Sequence, residues 1–195
     1  MNTVILTKTY DSPVFDRNEI LRYAACRNES SEISLLLENC INEVQDKLTY
    51  KICYCKLPVT VDKDVCDFKV FKAVSKKLAE NLKNNENVLL FAATIGVEID
   101  RLISKYSRIS PSKALMFQAI GAERIEKLCD TFCNDIESQT GIKQNTRFSP
   151  GYGDLQLSVQ KDIFRVLDCS KLIGISLNDS LIMSPTKSVT AFVGM

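Results

Sequence analysis

Apolar residues along the chain recur with two different periods, and each period predicts its own kind of element. Between residues 33 and 48 they are three and four apart, which places them on one face of a helix that follows Ser30. The longest such pattern begins at Ser110-Pro111 and stops at Gly141, a typical helix start and end, so we predict the main helix there. Shorter helices are predicted at residues 16–27, 71–82, 97–106 and 158–168.

Strand-like patterns lie between these helices. Residues 88–93 read Val-Leu-Leu-Phe-Ala-Ala, a continuous apolar run with the length of a buried strand. Further strands are predicted at residues 50–57, with Val59 and Val61 extending the alternation, at 143–148 and at 188–194. The first nine residues fit an edge strand or a docking arm. No linker divides the chain, so we predict one domain over residues 1–195.

Composition and charge exclude several classes of function. The 195 residues carry 25 Lys plus Arg against 24 Asp plus Glu, a formal charge of +1 with no long block of one sign, so nucleic-acid binding is disfavoured. No apolar run approaches the roughly 18 residues of a membrane span, and the N-terminal residues do not read as a secretory signal. We therefore expect no membrane partner and a cytoplasmic location.

The chain has no histidine, which restricts the chemistry available to it. Histidine-based triads and histidine-ligated metal hydrolysis are excluded, and any metal would need thiolate and carboxylate ligands. The eight cysteines are expected to be reduced thiols. Cys129 and Cys133 form a C-x-x-x-C pair, but Ile136 stands where an iron–sulfur signature needs a third cysteine, so we assign no metal site.

The strongest candidate site is residues 147–152, which read Arg-Phe-Ser-Pro-Gly-Tyr. Arginine can hold a carboxylate through two parallel hydrogen bonds, and glycine lets backbone groups approach a ligand closely. The Gly-Tyr-Gly that begins at Gly151 lacks the third glycine of a dinucleotide fingerprint. The combination favours a small zwitterion as the ligand.

Two stretches resemble the activation domain of vitamin B12-dependent methionine synthase. Residues 147–152 match its R-x-x-x-G-Y pattern, and residues 177–189 match its L-t-x-S-x-x-M-x-P-x-x-S-V pattern. Residues 91–96 and 119–126 are similar to the strand and long helix that precede these motifs. The match is better over 88–195 and weak over 1–87.

The resemblance implies an α+β fold, a C-shaped single domain around a bent antiparallel β-sheet with flanking helices. It also implies binding of S-adenosylmethionine (AdoMet) and support for reductive methylation of cob(II)alamin. The cobalamin would be held by a separate cobalamin-dependent methionine synthase or another corrinoid protein, with an electron donor such as a flavodoxin or ferredoxin. Carried over by position, the resemblance assigns cofactor-binding roles, and no catalytic role, to Arg147, Ser149, Gly151, Tyr152 and Glu126.

After Tyr152 the chain departs from the fused enzymes, which usually continue G-Y-P-A-C-P-D-H. Here Gly153-Asp154-Leu155 follows, and the sequence does not locate the family's N-terminal acidic ligand. A second hypothesis is therefore a non-catalytic module that binds a corrinoid protein or methyltransferase and has lost AdoMet. A third is an independent small-molecule methyltransferase, for which the sequence reveals no acid or base.

Overall fold

A four-stranded antiparallel sheet lies at the centre of the protein, whose computed structural model describes residues 3–195. Its order is β1-β2-β6-β9, so strands distant in sequence are neighbours. The four strands are β1 (Leu6–Tyr10), β2 (Tyr50–Pro58), β6 (Asn87–Thr94) and β9 (Ser188–Gly194). Because β6 is central, its residues from Val88 to Thr94 are buried, as the continuous apolar run at 88–93 predicted.

Each face of this sheet carries its own core. Leu89, Phe91 and Ala93 of β6 point to one face, where α1 (Arg17–Tyr23), α2 (Ser31–Val44), α4 (Glu98–Ile109) and α5 (Pro111–Thr140) pack. Val88, Leu90 and Ala92 point to the other face. That face is covered by α3 (Lys76–Leu82), α6 (Gln160–Leu167), α7 (Cys169–Ile173) and a small antiparallel sheet of β3 (Thr60–Asp62), β4 (Val65–Asp67) and β5 (Lys72–Val74). Strands β7 (Ser176–Leu177) and β8 (Met183–Ser184) form a separate pair. The α+β class with antiparallel sheets is confirmed.

The long helix α5 confirms the predicted main helix. It begins at Pro111, and Gly141 ends it in the left-handed conformation at φ 67°, with its N–H donating to the Glu137 carbonyl at 2.8 Å. The helix runs through Gly121 without a break. A β-carbon at Gly121 would lie 2.9 Å from Lys187 Cε and 3.0 Å from Ile99 Cγ1, so the glycine makes room for the Lys187 side chain.

Several predicted helices have other bounds in the structure, and the one whose apolar spacing ran to residue 48 ends at Val44. The helix expected at 71–82 starts only at Lys76, because residues Lys72–Val74 pair with β4 and Ser75 caps the helix through the Leu78 N–H. The helix expected at 16–27 ends at Tyr23, since Ala25 has a φ of 55° that no α-helix continues.

The prediction of a strand at residues 143–148 is wrong. Only Phe148 forms an isolated bridge, with Phe192 of β9, and the Asn145 N–H donates to the Gly194 carbonyl at 3.1 Å. Ser158 does not cap a helix either, because it lies within a 3-10 turn, Leu157–Val159, that leads into α6. The strands predicted at 88–93 and 188–194 are confirmed. Of the two alternatives for the first residues, an edge strand and a docking arm, the structure shows the edge strand, β1.

Within residues 3–195, no helix combines the length and the apolar character that a membrane span requires.

Candidate functional site

A cleft of about 570 Å³ opens between α5 and the irregular segment that leads from α5 to α6. Side chains from successive turns of α5 form one wall, and the segment at 144–149 forms the other. The α5 side contributes Glu126, Asp130, Cys133, Asn134 and Glu137, and the facing side contributes Gln144, Asn145, Thr146, Arg147, Ser149 and Tyr152, with Val189 of β9. Four of the five residues that the resemblance assigned therefore line one cleft.

Arg147 reaches across the cleft to two carboxylates of α5. Its Nη2 lies 2.7 Å from Glu126 Oε2, and its Nη1 pairs with Asp130. Glu126 and Asp130 are four residues apart and so share one face of the helix. Burial alone would lower the pKa of Arg147, but the hydrogen bond to Asp130 and the nearby negative charges raise it above its ordinary value. The guanidinium is thus a fixed cation, on a side chain that is only 25% exposed.

Phe148 holds the motif in place against the central sheet. Its N–H donates to the Phe192 carbonyl at 2.9 Å, and the Phe192 N–H donates back to the Phe148 carbonyl at 2.8 Å. Phe148 is buried, so Arg147 and Ser149 on either side of it are both directed toward the cleft. The isolated bridge therefore fixes the backbone that carries the cation.

A tight turn follows Phe148. The Tyr152 N–H donates to the Ser149 carbonyl at 3.1 Å, and the Gly151 N–H donates to the Leu155 carbonyl at 2.8 Å. Gly151 has a φ of 86°, which explains the glycine, although its own atoms do not line the cleft. The turn leaves Tyr152 68% exposed, with its ring edge-on to Phe148 at a centroid distance of 5.5 Å.

The cleft is acidic overall. Among the residues that line it, Glu126, Asp130 and Glu137 are acids, and Arg147 is the one base. Gln144 adds an unused acceptor, because its buried Oε1 has no hydrogen-bond partner while its Nε2 donates to the Cys133 carbonyl at 3.2 Å. The site offers acceptors to a cationic or donor-rich ligand, together with one cation for an anion.

A second hollow of about 250 Å³ adjoins the cleft and shares Glu126 and Asp130 with it. Asp16 and Glu19, at the start of α1, lie on its far side. Asp16 also caps α1, since its Oδ1 accepts a hydrogen bond from the Glu19 N–H at 3.1 Å. The position of Asp16 here depends on long-range contacts that no local sequence pattern shows.

Those contacts come from a buried ion pair on α5. Arg124 has no exposed surface and Glu123 is 3% exposed, and the two side chains pair directly. Arg124 Nη2 also donates to the Val14 carbonyl at 2.8 Å, its Nη1 donates to the Pro13 carbonyl, and its guanidinium lies 4.0 Å from the centre of the Phe15 ring. The N-terminal segment is thereby attached to the helix that bears the cleft.

Sequence reasoning missed Asp130 and Asp16. Asp130 could have been found from its spacing of four residues after Glu126, which places both on one helix face. Cys129 and Cys133 lie on this helix as free thiols, and burial raises the pKa of each. Among residues 3–195 no group of three Cys, Asp or Glu side chains is arranged to hold a metal ion.

No curated protein matches this sequence. One solved structure, described as the MetH reactivation domain bound to AdoHcy, superposes with a TM-score of 0.71 at 15% identity, over 98% of this chain and 78% of that one. At this identity the likeness establishes the fold alone.

The family comparison agrees with the fold. The sequence profile described as "Vitamin B12 dependent methionine synthase, activation domain" matches residues 72–195, which is well over half of the chain and includes β6, α5, the cleft and β9. The chain therefore belongs to the activation-domain family of vitamin B12-dependent methionine synthase.

Proposed function

We propose that this chain binds AdoMet in the cleft beside Arg147 and supports reductive methylation of cob(II)alamin on a separate cobalamin-dependent methionine synthase. When bound, AdoMet would supply the methyl group, and this chain would orient it. The observation that carries the proposal is the position of Arg147, the motif arginine, inside an acidic cleft of ligand size.

The charges of the cleft suit the amino-acid end of AdoMet. A carboxylate can take both guanidinium N–H groups of Arg147, in place of Glu126 and Asp130. The two released acids then face the ligand's two cationic groups, its ammonium and its sulfonium, so the exchange keeps each charge near an opposite one. Asp16, in the adjoining hollow, is a further acidic group on the same side.

The remaining surface suits the nucleoside. Tyr152 presents an exposed aromatic ring at the edge of the cleft, and the turn at Gly151 leaves the Ser149 backbone accessible. The free Gln144 Oε1 can accept a hydrogen bond from a ligand donor such as a ribose hydroxyl. The residues therefore fit the ligand, and the assignment of cofactor-binding roles to Arg147, Ser149, Gly151, Tyr152 and Glu126 stays a prediction.

The partner is proposed to hold the cobalamin. This chain has no histidine to ligate cobalt, and the cleft offers AdoMet to a neighbour through its open side. Residues 1–195 would act as a single domain, with a corrinoid protein as partner and a flavodoxin or ferredoxin as electron donor. We place the protein in the cytoplasm with them.

Calorimetric titration with AdoMet and with S-adenosylhomocysteine tests the binding. Arg147→Ala should weaken binding by about 10- to 150-fold, because it removes a charge-assisted hydrogen-bond donor. The matched control is Arg165→Ala, which removes an exposed arginine of α6 that pairs with Asp162. No heat from the unchanged protein at millimolar ligand would refute the proposal.

A second assay tests the activity itself. AdoMet-dependent recovery of a cob(II)alamin methionine synthase, with a reductant, should require this protein. If AdoMet binds to this protein but the methionine synthase recovers equally well when this protein is left out, the reactivation part of the proposal is wrong.

The alternative is a binding module that has lost AdoMet. It is favoured by the pairing of Arg147 with two carboxylates, which a ligand must displace. That function predicts co-elution with a corrinoid protein that AdoMet neither strengthens nor weakens.

A further inference from the structure

The residues that follow Tyr152 have a structural role of their own. Asp154 lies at the start of α3, where its Oδ2 accepts the Lys76 N–H at 2.8 Å and its Oδ1 accepts the Lys77 N–H at 3.3 Å. The Ser75 hydroxyl also donates to Asp154 Oδ1. The exposed carboxylate of Asp154 thus joins the loop at residues 149–154, beside the cleft, to a helix that lies far away in the sequence.

Gly153 completes this attachment. Its φ is 62°, and a β-carbon there would lie 2.7 Å from Lys77 Cδ and 3.6 Å from Phe148 Cζ. The Lys77 alkyl chain therefore passes directly over the glycine backbone. Gly153 and Asp154 together therefore bring the loop into contact with the first turn of α3.

Few other contacts hold Tyr152 in place. Its side chain is 68% exposed and touches Phe148 edge-on. The backbone is fixed on either side of this stretch, by the Phe148 bridge before it and by buried Leu155 after it, but residues 151–154 are exposed. Across these exposed residues, the contacts of Gly153 and Asp154 with α3 are the ones that restrict the backbone.

We propose that Asp154 is a positioning residue that holds the Ser149–Tyr152 turn at the edge of the cleft by binding the start of α3. Its effect on ligand affinity rests on the proposed function, whereas its effect on the loop does not. The hydrogen bond from Ser75, followed by those from the Lys76 and Lys77 amides, holds the pKa of Asp154 below its usual range, so the anchor is charged at neutral pH.

Motion of the loop is the first measurement. The chain contains no tryptophan, so Tyr152→Trp introduces a single fluorophore on the turn. Time-resolved anisotropy should show faster local motion of the introduced tryptophan when Asp154→Ala is added to the Tyr152→Trp protein. Asp154→Asn should give an intermediate rate of motion, because asparagine keeps one acceptor oxygen. The matched control is Ser30→Ala, which removes a cap from α2 that accepts the Ile33 N–H at 3.3 Å.

Affinity for S-adenosylhomocysteine is the second measurement, made with Tyr152 intact. Asp154→Ala should raise Kd by about 5- to 30-fold, the cost of ordering about one backbone residue on binding, while Ser30→Ala leaves Kd unchanged. Unchanged anisotropy in Asp154→Ala and Asp154→Asn would overturn the positioning role. If no variant and no parent protein binds the ligand, the proposed function fails, and the anisotropy still decides the role of Asp154.

Discussion

Removing the guanidinium of Arg124 tests whether the buried ion pair attaches the N-terminal segment to α5. In Arg124→Met the side chain keeps most of its length and apolar stem but loses the charge and its hydrogen bonds. Those bonds reach Glu123 and the carbonyls of Pro13 and Val14. The change therefore isolates the polar contacts from the packing.

The expected cost follows from the burial of both groups. With Arg124 gone, the Glu123 carboxylate, 3% exposed, has lost its counter-ion, and breaking a buried pair in this way costs about 3–5 kcal/mol. The double variant Glu123→Leu/Arg124→Met leaves no buried charge, so it should recover most of that loss. The pair is thus expected to show strong coupling in a double-mutant cycle.

Urea unfolding followed by far-UV circular dichroism measures the free energy of unfolding. For a domain of this size the single variant should also lower Tm by about 10 °C. Arg101→Met is the control, because Arg101 forms an exposed pair with Glu98 and should change stability by less than about 0.5 kcal/mol. A cost below about 1 kcal/mol for Arg124→Met, or a double variant worse than the single one, would refute the reasoning.

Two further predictions concern backbone strain and thiol chemistry. Gly96 has a φ of 83°, and a β-carbon there would lie 2.5 Å from Thr49 Oγ1. Gly96→Ala should therefore lower the free energy of unfolding in urea by about 2–3 kcal/mol. Gly141→Ala should lower it by only about 1 kcal/mol, because no atom lies within 4 Å of a β-carbon there. Burial raises the pKa of Cys55 to about 12 and that of Cys66 to about 11, from an ordinary value of 9.0. The unfolded chain therefore loses these protons first as pH rises, so the free energy of unfolding should fall between about pH 9 and pH 12. A disulfide-exchange reagent such as DTNB should meanwhile react slowly with both thiols until urea is added, and fast reaction in the native state would contradict their burial.

The elements that could be predicted were those whose pattern is complete within one segment. Helix α5 carries its own start at Pro111 and its own end at Gly141, and β6, a central strand, is apolar from Val88 to Ala93. The helix predicted at 71–82 was wrong at its start because pairing of Lys72–Val74 with β4 outweighs the helical spacing. That pairing depends on β4 and cannot be read from the sequence of residues 71–82 alone.

The same distinction applies to the site. The resemblance pointed to Arg147 and Glu126, and the structure joins them in one ion pair. Asp16 and Asp154 act through contacts with partners far away in sequence, at Glu123 and at the start of α3, so nothing in their own surroundings predicted them. Contacts of this kind are visible only once the chain is folded.

The bridge between Phe148 and Phe192 has a consequence for the order in which the protein assembles. The bridge that positions Arg147 and Ser149 needs Phe192 of β9, and Phe192 in turn pairs with Leu90 of β6, a distant part of the chain. Contacts so far apart in sequence form slowly, so the capacity to bind ligand should appear late in refolding, after α5. A ligand that binds Arg147 would in turn stabilise the state in which β9 is paired. The recovery of ligand binding during refolding would therefore show when folding is complete.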